Sequence, residues 1–256
     1  MRIVIKIGTS TLTYLNGNLN VHMFESLCKV IADIKNAGNE VIIVSSGAIA
    51  LGRSKLGLKE RSADIPAKQA AAAVGQSELM CFYDRVFSQY HHTVAQALIT
   101  AEDFESDDRR ENFGNTMRRL LDFGVLPVIN ENDTVATAEI SVGDNDTLSA
   151  LVAVNLNADL LVLLSDIDGL YSADPHIDKT ARLIPVVGEI TPEIENLAGG
   201  SVSGVGTGGM ATKIHAAKLC TGAGCDMVIA NGALPEVLYE IIAGKPAGTR
   251  FIGKKL

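Results

Sequence analysis

Short apolar runs alternate along the chain with longer segments in which apolar residues recur at helical spacing. Seven runs have the length and composition of buried strands: RIVIKIG, EVIIVSSG, HTVAQALIT, VLPVIN, DLLVLLSD, CDMVIAN and GTRFI. Helical periodicity predicts helices near residues 24–34, 48–57, 66–90, 107–124, 145–157 and 210–224, with one more before the last strand. This alternation predicts a mostly parallel sheet with helices on both faces.

The pattern predicts one continuous α/β sandwich rather than two separate domains. No internal repeat, low-complexity tract or Pro/Ser-rich linker interrupts it, and we expect two lobes of a single domain, residues 1–163 and 164–256. The stretch that contains GLYSADP and GEITPEI is predicted to be rich in loops.

Composition and charge limit the kinds of molecule that the protein is expected to bind. The 256 residues are 47% hydrophobic and 20% charged, and the net charge is −8. An acidic chain argues against a nucleic-acid or anionic-membrane partner, whereas a small anion can still bind a locally positive pocket. No signal pattern or membrane-length apolar run is visible, so we expect a cytoplasmic protein. Neither the cysteines nor the histidines have metal-ligand spacing, so no protein metal centre is predicted.

Polar residues follow several predicted strands, at the sheet edge where ligands bind in parallel α/β proteins. Lys6 with GTS follows the first strand, SSGA the second, NENDTVATAE the fourth and Ser165-Asp166 the fifth, while VGDND opens a helix. Each has a simpler interpretation: Lys6 as the rim lysine of an edge strand, SSGA as a plain turn, and Asp144 or Asn145 as a helix N-cap.

A glycine-rich segment, GGSVSGVGTGGMATK at residues 199–213, leads into a predicted helix. Free backbone N–H groups and the positive end of a helix dipole form an anion site, which Lys6 and Lys213 could flank. The segment contains GxGxxG, but no strand directly precedes it and the next strand ends in Asn231, so a Rossmann site is not predicted. P-loop and protein-kinase signatures are absent from the sequence.

Taken together, these motifs resemble the amino acid kinase family, and within it the branch of glutamate 5-kinases. The resemblance covers nearly the whole chain through KIGTS, SSGAIALG, NENDTVATAEISVGDNDTLSALVA, LLSDIDGLYSADP and GVGTGGMATK. It implies an open eight-stranded αβα sandwich, with the amino acid over the N-terminal lobe and ATP over the C-terminal lobe. Many bacterial members carry a C-terminal PUA domain, and because the sequence stops after GTRFIGKKL we expect none here.

The resemblance also implies roles for individual residues in transferring a phosphoryl group from ATP to the γ-carboxylate of L-glutamate, the first step of proline biosynthesis. Lys6 and Lys213 would stabilise charge on the phosphoryl group, and Asp146 would orient both lysines. The expected glutamate-binding residues are Ser46, Gly47, Asp133, Asp144 and Asn145. The expected ATP-binding residues are Lys6, Ser165, Asp166, Thr207, Gly208, Gly209, Met210, Ala211, Thr212 and Lys213. Mg²⁺ would be held mainly by ATP oxygens and water.

Two alternatives remain open at this point. The chain could phosphorylate another acid, N-acetylglutamate or aspartate, or it could be a non-catalytic sensor on the same fold. The resemblance further suggests feedback inhibition by proline, a homo-oligomer (dimer or tetramer) and a glutamyl phosphate reductase partner.

Overall fold

The computed structural model describes residues 1–58, 64–136, 145–175, 177–198 and 209–254. In this part of the chain, an eight-stranded sheet lies between two layers of helices. The strands are β1 (Arg2–Ile7), β2 (Glu40–Ser45), β3 (Val94–Ile99), β4 (Leu126–Glu131), β5 (Leu160–Ser165), β6 (Val186–Val187), β7 (Asp226–Asn231) and β8 (Thr249–Phe251). The described α-helices are α1 (Thr9–Leu12), α2 (Val21–Asn36), α3 (Ala48–Lys55), α4 (Ile65–Ser88), α5 (Asp107–Asp122), α6 (Asn145–Asn155), α7 (Pro192–Ala198), α8 (Met210–Gly222) and α9 (Val237–Ile242).

The strand order is β3-β4-β2-β1-β5-β7-β8-β6, which makes β1 a central strand. It pairs in parallel with β2 on one side and with β5 on the other. Only β7 and β8, among the described pairs, run antiparallel. The predicted αβα sandwich is confirmed, all seven predicted strands form, and Lys6 does not lie on an edge strand.

Alternation along β1 decides which layer each side chain faces. Ile3, Ile5 and Ile7 join the core formed with α2, α4 and α9, whereas Val4 joins the core formed with α5, α6 and α8. Lys6 lies two residues beyond Val4, so its side chain enters the second layer. A lysine within a buried strand is thereby directed at α6 and α8.

Three short elements were not predicted from the sequence. α1 follows Gly8 in the GTS segment, and β6 and α7 lie in the stretch predicted to be rich in loops. Each has seven residues or fewer, which is too short for a hydrophobic period to emerge from the sequence. The Pro at the first position of α7 and the glutamates in its first turn are local signals that favour a helix start.

The helices α3 and α4 cross at two glycines. A Cβ atom on Gly52 would lie 1.7 Å from the Ala71 carbonyl oxygen, and one on Gly75 would lie 1.8 Å from that of Ala48. Only glycine permits this backbone contact, which fixes α4 against the helix that begins after SSG. α4 has 24 residues, yet no helix in the described ranges is both long and apolar enough to cross a membrane.

Candidate active site

A charged cluster joins the central strand to the two helices of the second layer. The lysine–aspartate cluster consists of Lys6 on β1, Asp146 in the first turn of α6 and Lys213 in the first turn of α8. Lys6 Nζ lies 2.7 Å from Asp146 Oδ1, and Lys213 Nζ donates to Asp146 Oδ2 at 2.9 Å. The three residues are 8%, 1% and 4% exposed, respectively. The predicted association of two lysines with one organising aspartate is therefore present.

Asp146 remains ionised in this environment. Burial by itself would raise its pKa, but the charges of Lys6 and Lys213 outweigh burial and lower the pKa to about 2. Two ammonium groups and one carboxylate leave the cluster with a formal charge of +1. A buried group of charges with a net positive sum favours an anionic partner.

A second, uncharged cluster begins at the adjacent residue. The amide network consists of Asn145, Asn130, Gln76, Ser45 and Ser46. Asn145 Nδ2 lies within donating distance of Ser46 Oγ at 2.8 Å, Ser45 O at 3.1 Å and Asn130 Oδ1 at 3.1 Å. Its two hydrogens are shared among three acceptors, so this carboxamide is held from three directions.

Asn130 extends the network from β4 to α4. Its Nδ2 donates to Gln76 Oε1 at 2.9 Å, and its Oδ1 also accepts from the backbone N–H of Glu131 at 2.9 Å. Asn130 and Gln76 are almost fully buried. Asn145 is the first residue of α6, and its amide bridges β2 and β4, so the alternative interpretation as a plain N-cap does not account for its contacts.

Two glycines at this edge have different roles. Gly47 precedes α3 with φ 97°, a left-handed conformation that favours glycine and turns the chain sharply after Ser46. Gly8 donates its N–H to Leu164 O at 3.2 Å and so continues the β1–β5 pairing. The Gly8 N–H is therefore engaged within the sheet, whereas the N–H groups of Thr9 and Ser10, at the start of the short helix after it, lack intrahelical acceptors.

Asp133 lies in the loop after β4, in the wall of a cavity of about 390 Å³. Gln76 belongs to the same wall, so the cavity connects Asp133 with the amide network. Side chains from α4, β3, the end of β4 and the loop after it line the cavity, including Gln96 and Glu131.

The residues assigned to ATP lie at the ends of β5 and α8. Ser165 is buried at the end of β5 and donates to Asp166 Oδ1 at 3.1 Å, while Asp166 is exposed. Gly209 caps α8, whose first turn contains Met210, Ala211, Thr212 and Lys213. Asp144, Thr207 and Gly208 lie outside the described residues. No group of three or more His, Cys, Asp or Glu side chains within the described ranges could hold a metal ion.

Thr212 makes a contact that the sequence did not indicate. Its Oγ1 lies 3.0 Å from Asp146 Oδ2 and 2.8 Å from Gly209 O. A single hydroxyl proton can serve only one of these acceptors at a time. Thr212, expected only as an ATP contact, also ties the start of α8 to the lysine–aspartate cluster.

Sequence reasoning missed Gln76, Asn130 and Tyr83. Asn130 stands in the quoted NENDTV motif but received no role. Ala72, Gln76, Leu79 and Tyr83 follow helical spacing, and all four are buried. A glutamine among buried apolar positions is a signal of a functional polar contact. The alanine-rich composition of α4 obscured this signal.

Matches to known proteins cover most of the chain. The model of the amino acid kinase family matches residues 1–231. A glutamate 5-kinase from Clostridium perfringens is 50% identical over 99% of this chain and 96% of its own length. A glutamate 5-kinase from Caldanaerobacter subterraneus subsp. tengcongensis is 52% identical over 100% of this chain and 68% of its own length.

A solved structure shares the fold at much lower identity. Carbamate kinase from Giardia lamblia bound to AMP-PNP superposes with a TM-score of 0.71 at 17% identity, over 99% of this chain and 98% of that one. Similarity at that level supports the αβα architecture.

Proposed function

The chain belongs to the amino acid kinase family, and on that premise we propose that it transfers the γ-phosphoryl group of ATP to the γ-carboxylate of L-glutamate. The products are L-glutamyl 5-phosphate and ADP, the first step of proline biosynthesis. The observation that carries this proposal is the buried lysine–aspartate cluster with its net positive charge. Relatives at 50% and 52% identity over nearly all of this chain are glutamate 5-kinases, which supports glutamate as the acceptor.

The chemistry needs little from the protein beyond position and charge. A carboxylate is already ionised at neutral pH, so the attacking oxygen requires no general base. Negative charge on the transferring phosphoryl group must instead be stabilised between the attacking and leaving oxygens. Lys6 would act from the amino-acid side and Lys213 from the nucleotide side, and Asp146 holds both ammonium groups in place.

The acceptor would bind over the amide network. Ser46, Gly47 and Asn145 adjoin the lysine–aspartate cluster because Asn145 and Asp146 are consecutive residues. Asp133 and Asp144, the latter outside the described residues, would take the α-ammonium group of glutamate. An N-acetylated acid lacks that charge, so Asp133 favours the free amino acid.

ATP would bind over the C-terminal lobe, with its phosphates at the start of α8. This helix has 13 residues, and its N-cap Gly209 has no side chain to occupy the first-turn N–H groups. Lys213 adds a positive charge one turn further on, so these residues fit a triphosphate. Mg²⁺ would neutralise phosphate charge when bound, and Ser165 and Asp166 would lie beside the nucleotide.

Three further interactions belong to the same proposal. Proline would compete with glutamate for the amino-acid site, the protein would form a homodimer or homotetramer, and a reductase would consume the labile acyl phosphate. Unchanged glutamate kinetics in the presence of proline would contradict the first of these.

The test is ATP-dependent formation of an acyl phosphate, trapped with hydroxylamine, with L-glutamate, N-acetylglutamate and L-aspartate as acceptors. We expect hydroxamate with free glutamate alone. If product forms only with N-acetylglutamate or only with L-aspartate, that acid is the substrate instead of glutamate. If the protein binds ATP but forms no product with any acid, the alternative of a non-catalytic sensor is favoured. Lys6→Ala and Lys213→Ala should each abolish most turnover in folded protein; near-normal turnover in either variant would remove the roles given to these lysines.

A further inference from the structure

We infer that Gln76 and Tyr83 of α4 are positioning residues for the acceptor amino acid, because they fix the carboxamide of Asn145 through Asn130 and Ser45. This inference rests on the proposed function for its kinetic consequence. Its structural content, the placement of the Asn145 amide, does not depend on the identity of the substrate.

The first arm runs from Gln76 through Asn130, and a backbone group sets its direction. The N–H of Glu131 can only donate, so the atom of Asn130 facing it at 2.9 Å must be Oδ1. Asn130 Nδ2 then faces Gln76, which must present Oε1 at 2.9 Å. Asn130 Oδ1 is thus directed at Asn145 Nδ2, 3.1 Å away.

This arm leaves Gln76 with a constrained side chain. Its Oε1 is committed to Asn130, while its buried Nε2 has no hydrogen-bond partner among the described residues. A glutamine whose two ends differ in this way cannot flip without placing two donors face to face. Gln76 therefore holds Asn130 in the orientation that the Glu131 N–H selects.

The second arm runs from Tyr83 through Ser45. Tyr83 Oη and Ser45 Oγ are 2.9 Å apart, and both residues are fully buried. Ser45 Oγ also lies 3.2 Å from Ser46 O, to which it donates its only proton. Tyr83 is consequently the donor to Ser45, and the Ser45 carbonyl accepts from Asn145 Nδ2 at 3.1 Å.

Both arms start from one rigid element. Gln76 and Tyr83 are seven residues apart, which places them on the same face of α4 two turns from each other. Gly75, beside Gln76, makes the close crossing with α3 that sets the depth of the helix. Because both arms reach one amide, α4 constrains the position of Asn145 through two sets of hydrogen bonds.

The experiment compares Gln76→Met and Tyr83→Phe with matched controls on or beside the same helix. Gln76→Met keeps the length of the side chain and removes the acceptor, whereas Gln76→Glu retains an oxygen that can accept from Asn130. Gln89→Met and Tyr90→Phe repeat the two chemical changes away from the network; Gln89 is exposed. Glutamate KM, ATP KM, kcat and the melting temperature are measured for all five variants.

We expect Gln76→Met to raise the glutamate KM about tenfold and Tyr83→Phe about threefold, the range of one lost or weakened hydrogen bond. The ATP KM should change less than about twofold, since neither arm touches α8. Gln76→Glu should recover most of the affinity lost in Gln76→Met. Equal changes in both KM values, or a fall in melting temperature with unchanged glutamate KM, would overturn the inference.

A second readout separates this inference from the proposed function. The side-chain amide resonances of Asn145 are followed in ¹H–¹⁵N spectra, assigned by their loss in Asn145→Ala. A shift of these resonances in Gln76→Met and Tyr83→Phe, but not in the two controls, supports the positioning role even if glutamate is not the substrate. Resonances that stay unchanged in both variants contradict it, whatever the enzyme phosphorylates.

Discussion

Asn145 and Asp146 are neighbours in sequence but lie in opposite chemical surroundings. Asp146 faces two ammonium groups in a buried ionic cluster, whereas Asn145 faces a carbonyl, a hydroxyl and a second carboxamide. The first turn of α6 therefore directs Asn145 to the proposed acceptor position and Asp146 to the proposed phosphoryl position.

The different surroundings of Asp146 and Asn145 match two requirements of the proposed reaction, charge stabilisation and orientation of the acceptor. Charge is concentrated where a phosphoryl group must be stabilised, because buried charges act strongly in a low dielectric. Neutral amides would lie against the acceptor in the proposed site, where directional hydrogen bonds orient a substrate. Isosteric exchanges of amide and carboxylate at these two positions test this division directly.

Asp146→Asn should have the largest effect. It leaves Lys6 and Lys213 buried without their common carboxylate, which costs about 3–5 kcal/mol in the free energy of unfolding. Turnover should fall at least about 100-fold, because both ammonium groups lose their fixed orientation. Denaturant unfolding measures the loss of stability, and hydroxamate formation measures the loss of turnover. Normal turnover in this variant would contradict the role of Asp146 in orienting the two lysines.

Asn145→Asp is the reciprocal exchange. The new carboxylate would face three acceptors instead of donating to them, so the glutamate KM should rise about 10- to 100-fold. The ATP KM should remain close to that of the wild type, because Lys213 and Asp146 keep their contacts. A larger effect on the ATP KM than on the glutamate KM would contradict the proposal that Asn145 serves the acceptor and Asp146 the phosphoryl group.

The sheet and most helices could be predicted from the sequence because they are long and strongly periodic. β6 and α7 could not, since two and seven residues carry too little periodicity. The left-handed Gly47 was detectable only as a glycine in SSGA, and the crossing of Gly52 with Gly75 depends on a tertiary contact between two helices.

The site was predicted unevenly for a similar physical reason. Lys6, Asp146 and Lys213 belong to local motifs that resemblance to the family could assign. Gln76 and Tyr83 act through Asn130 and Ser45, on other elements. Contacts of this kind join residues 38 to 54 positions apart, and no spacing rule within one element can reveal them.

Gly75→Ala tests the amide network by displacing the backbone of α4. Its Cβ would lie 1.8 Å from Ala48 O and 2.5 Å from Gly52 N, so α4 must move away from α3. We expect a loss of about 2–3 kcal/mol in the free energy of unfolding, together with a raised glutamate KM because Gln76 moves with the helix.

Gly222→Ala is the matched control for that substitution. Gly222 also lies in a helix, and a Cβ there would meet nothing within 4 Å. The variant should be as stable as the wild type or slightly more stable. Equal stability of Gly75→Ala and Gly222→Ala would show that the α3–α4 crossing tolerates separation.

The dependence of the free energy of unfolding on pH in acid tests the lysine–aspartate cluster alone. The pKa of Asp146 is lowered from 3.8 to about 2 in the folded protein, so between these pH values the unfolded chain binds more protons. Its contribution of ~2 kcal/mol is therefore present above about pH 4 and is lost as the pH falls towards 2. In urea titrations, the stability difference between wild type and Asp146→Asn should shrink by that amount from pH 5 to pH 2, whereas the difference between wild type and Gly75→Ala should stay constant. A constant difference for Asp146→Asn would mean that the two lysines do not hold the carboxylate ionised.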